Sequence, residues 1–249
     1  MSQSFSQIAV PAINVYLRTY IIQPMKKIRL TSAAFGDTQT ELYIASSLAS
    51  EHYSCDVILY NDSNTPTRIN SLHPRLKGKI PKMLEWMEHP GYDYYIWVDA
   101  AFTIYDGFLE NIMEFVEDDY DLFLFEHTRR RTIREELDHL NRKLTEGNVY
   151  LTNRYAGERI NEQVNIYLSD KEFNDNNLFF GGCLMYSARL VQNVNHNLMT
   201  DWFLHNTLYS VMDQLSLPYL LQKHQTKYKI YPHVLMRNKF LVHDFSVFY

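Results

Sequence analysis

The chain reads as an α/β protein, a Rossmann-like three-layer α/β/α sandwich around a mixed, mostly parallel sheet. Three observations predict this. Residues 94–98 (YYIWV) form an apolar run of strand length that stops at the carboxylate of Asp99, as a strand buried on both faces does. Residues 27–33 (KIRLTSA), 40–50 and 55–60 (CDVILY) alternate strand-like, helix-like and strand-like patterns. That order predicts a parallel pair joined by a crossover helix. Further strand-like runs, 121–126 (DLFLFE) and 176–186 (NNLFFGGCLMY), are separated by helical stretches.

Each element has its own signal. The first strand ends in a small-residue loop, residues 31–36, with its turn at Phe35 and Gly36. In residues 40–50, Leu42, Ala45, Leu48 and Ala49 recur at helical spacing. The second strand ends at the turn-forming run of residues 61–64 (NDSN). Helices are predicted over 82–89, 106–116 and 201–222, the last up to the region of Pro218. Thr132 followed three residues later by Glu135 is a capping box, and Ile133, Leu137, Leu140 and Leu144 continue one apolar face behind it. No repeat or linker divides the chain. Residues 1–249 are therefore expected to form one domain, with residues 1–25 as an N-terminal extension.

Composition narrows the function classes. With 249 residues, 46% of them hydrophobic, the chain can bury a core without covalent staples. A net charge of −5 argues against a general nucleic-acid binder. The 19 tyrosines suit a cleft for sugars or bases. Cys55 and Cys183 form no metal or redox motif, so a reducing, cytoplasmic setting is expected. The apolar stretch of residues 8–22 is interrupted by Pro11, Asn14 and Arg18 and is too short to span a bilayer. No membrane span is expected.

Four features carry candidate chemistry. The loop of residues 31–36 lies where a nucleotide can approach backbone. Asp99 sits at the carboxyl end of a buried strand, where a carboxylate can hold a divalent cation on a diphosphate; its plainer reading is a strand-end cap. Gly181 and Gly182 inside a strand pattern mark either a bulge beside a ligand or tight packing. Asp213 and Gln214, set among Val211, Met212, Leu215 and Leu217, are costly to bury unless bonded or functional. Asp213 could also simply cap the helix that follows. Basic groups cluster before the Asp99 strand (Arg75, Lys77, Lys79, Lys82) and after the next strand (Arg129, Arg130, Arg131). Either cluster could be a solvated face or a cradle for a leaving diphosphate.

Two segments carry a resemblance. Residues 73–104 (HPRLKGKIPKMLEWMEHPGYDYYIWVDAAFTI) and 201–221 (DWFLHNTLYSVMDQLSLPYLL) resemble a bacterial and plant glycosyltransferase-like family linked to cell-wall polysaccharides. More distantly, the second resembles the Asp-Gln-Asp stretch of glycogenin-like hexosyltransferases. The resemblance implies a GT-A fold over about residues 27–245. The chain departs from that pattern at Ala101, where GT-A enzymes usually carry a second carboxylate, and at Met212, where the family tends to have Arg.

The resemblance implies a hexosyltransferase that uses a nucleotide sugar, UDP-hexose such as UDP-glucose first. The acceptor would be a glycan or a protein-linked glycan. Thr31, Ala33, Phe35, Gly36 and Asp62 would hold the nucleoside, and Gly181 and Gly182 the donor sugar. Lys82 and Arg131, each expected to start an element beside the site, would face the diphosphate. Asp99 and His243 would bind Mn²⁺ or Mg²⁺, while Asp213 or Gln214 would face the anomeric carbon or the acceptor hydroxyl. Asp213 could serve as the base of an inverting enzyme, and the Asp-Gln pair gives a slight lean to retention. Two alternatives remain: a sugar-nucleotide nucleotidyltransferase, for which the loop after the first strand is too short and uncharged, and a non-catalytic nucleotide- or sugar-binding module.

Overall fold

A computed structural model describes residues 25–36, 43–44, 48, 52–193, 196–232 and 241–243. In chain order the described elements are β1 (Lys26–Ala33), β2 (Tyr43–Ile44), β3 (Tyr53–Tyr60), α1 (Pro74–Met83), α2 (Glu85–Glu88), β4 (Tyr94–Val98), β5 (Phe102–Ile104), α3 (Phe108–Met113), β6 (Leu122–Glu126), α4 (Ile133–Thr145), α5 (Val149–Tyr155), α6 (Ile160–Ser169), β7 (Phe179–Ser187), α7 (Leu198–Leu208), α8 (Asp213–Lys223), β8 (Tyr228–Ile230) and β9 (Leu241–His243).

Six strands form one sheet in the order β3-β1-β4-β7-β6-β8. β1 pairs parallel with β3 and β4, β6 pairs parallel with β8, and β7 runs antiparallel to both its neighbours. This is the mixed, mostly parallel sheet that the sequence predicts. A small second sheet, β2-β5-β9, lies just past the end of β4; Phe102 N–H donates to the Asp99 carbonyl at 3.0 Å, the tight turn that starts it.

Strand alternation explains the layers. In β4, Tyr94, Ile96 and Val98 face one side and join Phe108, Leu109 and Ile112 of α3. Tyr95 and Trp97 face the other side and join Met83, Trp202, Leu217 and Leu221 from α1, α7 and α8. β6 divides the same way, Phe123 and Phe125 against Leu122 and Leu124. A strand buried on both faces must be apolar throughout, hence its run-like sequence. Each fully buried large side chain contributes about 1.5–3 kcal/mol. A third cluster joins α4, α5 and α6 to Val211, Met212 and Leu215 at the start of α8. The segment from α4 to α6 thereby packs on the helix that carries Asp213.

Several local expectations hold. The Thr132 side chain caps α4, accepting from Glu135 N–H at 3.0 Å, while the Glu135 carboxylate accepts from Arg131 N–H at 2.7 Å. Both thiols are free; burial pushes Cys55 up to about 12 and raises Cys183 further.

Others need correction. Tyr43–Ile44 is a strand pairing with β5, not part of a helix. Most of residues 40–50, and so the predicted crossover helix, lies outside the described residues, as do residues 1–24. The helix expected over 82–89 is reduced to the short α2, Glu85–Glu88, and a separate helix, α1, precedes it from Pro74 to Met83 behind an N-cap at His73. Proline at the first helical position gives up no intrahelical bond. Lys82 therefore lies in the last turn of α1 rather than at an element's start. The single helix expected over 201–222 is two, and α8 runs on through Pro218.

Candidate active site at the carboxyl edge of the sheet

β1, β3, β4, β6 and β8 all end on one edge, and β7 begins there. β7 does so through a bulge: Leu124 pairs with Leu184 but Phe125 pairs with Phe180. The strand leaves β6 over residues 181–183 and follows β4, whose Val98 pairs with Cys183; Asp99 N–H then donates to the Gly182 carbonyl at 2.7 Å. Bulges of this kind re-aim backbone beside functional sites.

Onto this bulge converge a carboxylate and two ammonium groups. Lys79 and Lys82, three residues apart on α1, share one helix face. Both reach Asp213 Oδ2, at 2.6 and 2.5 Å, and Lys82 also donates to the Gly181 carbonyl at 2.5 Å. The Lys82 ammonium lies 5.3 Å from the Trp202 ring centroid and 5.7 Å from that of Trp97, within cation–π range. Trp202 Nε1 donates to the Asp213 carbonyl at 2.9 Å, and Trp97 Nε1 donates to Asp99 Oδ1 at 2.7 Å. One indole thus orients the Asp99 carboxylate, and the other holds the backbone that carries Asp213.

Charge in this cluster is unevenly held. Burial opposes ionisation of Asp213, but Lys79 and Lys82 overcome it and keep the carboxyl well below the usual range. Burial brings Lys79 down to about 8, with Asp213 opposing and Lys82 reinforcing the drop. Arg154 and Tyr155 of α5 stand within electrostatic reach of Asp213, and Arg154 within reach of Arg75. Arg154 Nε is buried and has no hydrogen-bond partner, while its Nη1 donates to Tyr150 Oη at 2.5 Å.

The sequence candidates divide. Lys82, Asp99, Gly181 and Asp213 come together. Asp213 is the first residue of α8, and its side chain caps nothing; it serves the lysines. A β-carbon on Gly181 would lie 3.0 Å from Lys82 Nζ and 3.2 Å from Asp213 Oδ1, so this glycine makes room for the ion cluster. One on Gly182 would lie 2.4 Å from the Phe180 ring and 3.1 Å from Phe102, so aromatic packing fills the space beside the second glycine. Gln214 donates to Glu136 Oε1 at 2.6 Å, and Glu136 pairs with Arg130. It ties α4 to α8 next to Asp213.

Gly36, in the left-handed region at φ +79°, donates its N–H to Asp62 Oδ2 at 2.8 Å. Asp62 in turn pairs with Lys77, whose ammonium lies 5.4 Å from the Phe35 ring centroid. Phe35, Tyr60, Thr65, Lys77 and Pro81 line a cavity of about 260 Å³. Thr31 lies beneath α1, its hydroxyl 3.4 Å from the carbonyls of Pro81 and Ile96, and Ala33 packs against the same side of the sheet. Both are short of the cavity rim. Arg131 is exposed at the start of α4 and bonds through its backbone to Glu135; Arg130, not Arg131, is the residue linked through Glu136 to Gln214. The backbone of His243 pairs with Phe102, which places that position three residues from Asp99.

Sequence reasoning underweighted Lys79, although its spacing from Lys82 signals a shared helix face. It missed Arg154 and Tyr155, which no motif surrounds, and Trp202, which lies inside the resembling segment 201–221 and was the signal available there.

The ligand set for a hard cation can be tested on these residues. Mn²⁺ and Mg²⁺ take mostly oxygen ligands. Asp99 Oδ2 has no partner among the described residues, whereas Ala101 supplies none. Asp99 could therefore give such an ion one carboxylate ligand, and substrate and water would have to supply most of the others.

Carboxylates and lysines gathered at the carboxyl edge of the sheet stand where open α/β sheets bind their ligands. Residues 56–245 match the TOD1/MUCI70, glycosyltransferase-like domain family, and the chain belongs to it. No curated protein matches the chain significantly. Among solved structures the chain is similar to mouse xyloside xylosyltransferase 1 in its apo form (9% identity, 72% of this chain and 63% of that one, TM-score 0.38). It is similar to a glycosyltransferase involved in glycosylation of the major capsid of PBCV-1 (7%, 87% and 91%, 0.41) and to the WbbM bifunctional glycosyltransferase, apo (10%, 85% and 40%, 0.46). The chain spans 63% of the first of these. The family match, and not these distant likenesses, identifies the chain.

Proposed function

We propose that the chain transfers a hexose from a nucleotide sugar, UDP-hexose first, to a hydroxyl of a glycan or protein-linked acceptor. The observation that carries this reading is the Lys79–Asp213–Lys82 cluster on the Gly181 bulge beside Asp99. Transfer breaks the bond between the anomeric carbon and the diphosphate and forms one to the acceptor oxygen. Negative charge grows on the leaving diphosphate and positive charge on the sugar ring. Fixed cations and an ionised carboxylate in a partly dry cleft stabilise both. Phe35, Tyr60 and the Gly36–Asp62–Lys77 link would frame the nucleoside, with Lys79 and Lys82 along the diphosphate.

The state of Asp213 supports retention. A carboxylate held far below its ordinary range is a weak proton acceptor. Asp213 is then suited to stabilising an oxocarbenium-like sugar, and the acceptor proton passes to the departing diphosphate oxygen. Asp99 and His243 would hold Mn²⁺ or Mg²⁺, which when bound supplies further charge neutralisation on the diphosphate. A second reading is favoured by the two lysines: with two ammonium groups 2.6 and 2.5 Å from one carboxylate oxygen, the cleft can neutralise the diphosphate without an ion.

A calorimetric screen of UDP- and GDP-hexoses, with and without Mn²⁺, followed by product analysis with glycan acceptors, tests the proposal. UDP-hexose binding with turnover is the expected result. Absence of nucleotide-sugar binding under all conditions overturns it. Turnover that persists in chelator selects the ion-free reading.

A further inference from the structure

A second constellation lies at the opposite end of the sheet, where β6 and β8 begin. Here His196, Asp201 and His224 converge, their ligand atoms all within 4.8 Å of one another. His224 Nε2 is 2.8 Å and His196 Nδ1 3.4 Å from Asp201 Oδ2, and the two imidazole centroids are 4.9 Å apart. We infer that these three side chains form a transition-metal site, zinc above all, separate from the sugar-transfer site.

The chemistry selects the ion. Two imidazoles and one carboxylate are a donor set for Zn²⁺ and its neighbours rather than for Mg²⁺ or Ca²⁺. Ligand atoms around a tetrahedral zinc stand about 3.3–3.4 Å apart, from bond lengths near 2.0–2.1 Å. The present triangle brackets that spacing, so sub-ångström side-chain shifts admit the ion. Metal entry replaces the His224–Asp201 hydrogen bond by two coordination bonds.

The backbone carrying these ligands is held independently of any ion. Asp201 lies in the first turn of α7, behind an N-cap in which Asn197 accepts from Thr200 N–H at 3.1 Å. His224 closes α8, where Gln225 adopts φ +50° and Thr226 N–H donates to the Leu221 carbonyl at 3.0 Å, a helix stop that fixes the last turn. His196 is exposed on the segment just before that N-cap, so the ion has an entry path. The site borders an open cleft of about 690 Å³ lined also by Asp118, Asp119 and Asp121; a fourth coordination position facing it would take water. α8, about 16 Å long at 1.5 Å per residue, separates His224 from Asp213. The inference does not rest on the sugar-transfer reading.

The test uses the full chain. Zn²⁺ titration is expected to show one site and, at tenfold its Kd, to raise Tm by about 3–6 °C. Co²⁺ substitution should give the visible absorption of a nitrogen- and oxygen-ligated site. His196→Ala, at an exposed position that does not endanger folding, should weaken Zn²⁺ binding by at least about tenfold, and Asp201→Asn repeats the test from a second ligand. Asp99→Asn should leave the zinc signal intact. Lack of stoichiometric Zn²⁺ binding in the wild type, or equal binding in His196→Ala, overturns the inference. Loss of the signal in Asp99→Asn also overturns it, by moving the ion to the other end of the sheet.

Discussion

Lys82 and Asp213 stand 131 residues apart in the chain and 2.5 Å apart in space. Their contact joins the last turn of α1 to the first residue of α8 across the bulge of β7, so three elements share one charge cluster. The consequences are specific.

Asp213→Asn should reduce transfer by about 100-fold or more while UDP affinity is kept or improved. The substitution removes a charge suited to the transition state, which lowers turnover more than ground-state binding. It also frees two ammonium groups for the diphosphate. Asp213→Ala should in addition destabilise the fold by about 3–5 kcal/mol, because the lysines lose their buried partner. Single-turnover transfer, UDP titration and chemical unfolding on both variants check this. Full turnover in Asp213→Asn would remove the carboxylate from the mechanism.

Nucleotide binding should weaken as pH rises through about 8. Burial lowers the Lys79 pKa to about 8 in the folded protein, so above that pH an anionic diphosphate loses one of its cations unless binding supplies the cost of reprotonation. Stability should move the other way. Between about pH 8 and the ordinary lysine range the unfolded chain binds the extra proton, so this group makes the fold more stable with rising pH and less stable as pH falls toward 8. Lys79→Arg keeps its charge throughout and should flatten the binding profile. An unchanged profile in Lys79→Arg would assign the titration elsewhere.

The two glycines of the bulge should fail differently. Gly182→Ala meets aromatic rings and should cost about 1–3 kcal/mol of stability. Gly181→Ala meets the flexible tips of Lys82 and Asp213, so the fold should survive and turnover should fall. Urea unfolding paired with activity assays separates the two. Equal loss of stability in both variants would deny Gly181 its place in the ion cluster.

Asp99→Asn should weaken any metal-linked donor binding without unfolding the chain, since an amide oxygen still accepts from the Trp97 indole. Binding of UDP-hexose with and without Mn²⁺, measured on the variant and the wild type, decides the matter. A wild type whose affinity is equal in excess chelator supports the lysine-only reading.

Much of this is legible in the amino-acid sequence. The apolar run ending at Asp99 announced a doubly buried strand and its carboxylate, because burial on both faces leaves no polar position until the strand emerges. Thr132 and Glu135 announced the start of α4 through hydrogen bonds that are local in sequence. The split of residues 201–222 into two helices was not legible: the polar residues at the break are few, and helical spacing resumes in phase with the apolar face. The start of α1 was obscured by Pro74 and Pro81, one an N1 proline and the other tolerated inside the helix.

The sequence by itself determined the α/β class, the strand that carries Asp99, the glycine pair and the prominence of Asp213, since period, composition and turn chemistry act over a few residues. Tertiary structure alone decided which cations face which carboxylate. It set Lys79 and Lys82 on Asp213, turned Lys77 to Asp62 and Arg130 to Glu136, and brought Arg154 and Trp202 to the site. It also gathered His196, Asp201 and His224 at the far edge. Charge pairing depends on distances across the fold, and those distances are set by how helices pack on a sheet.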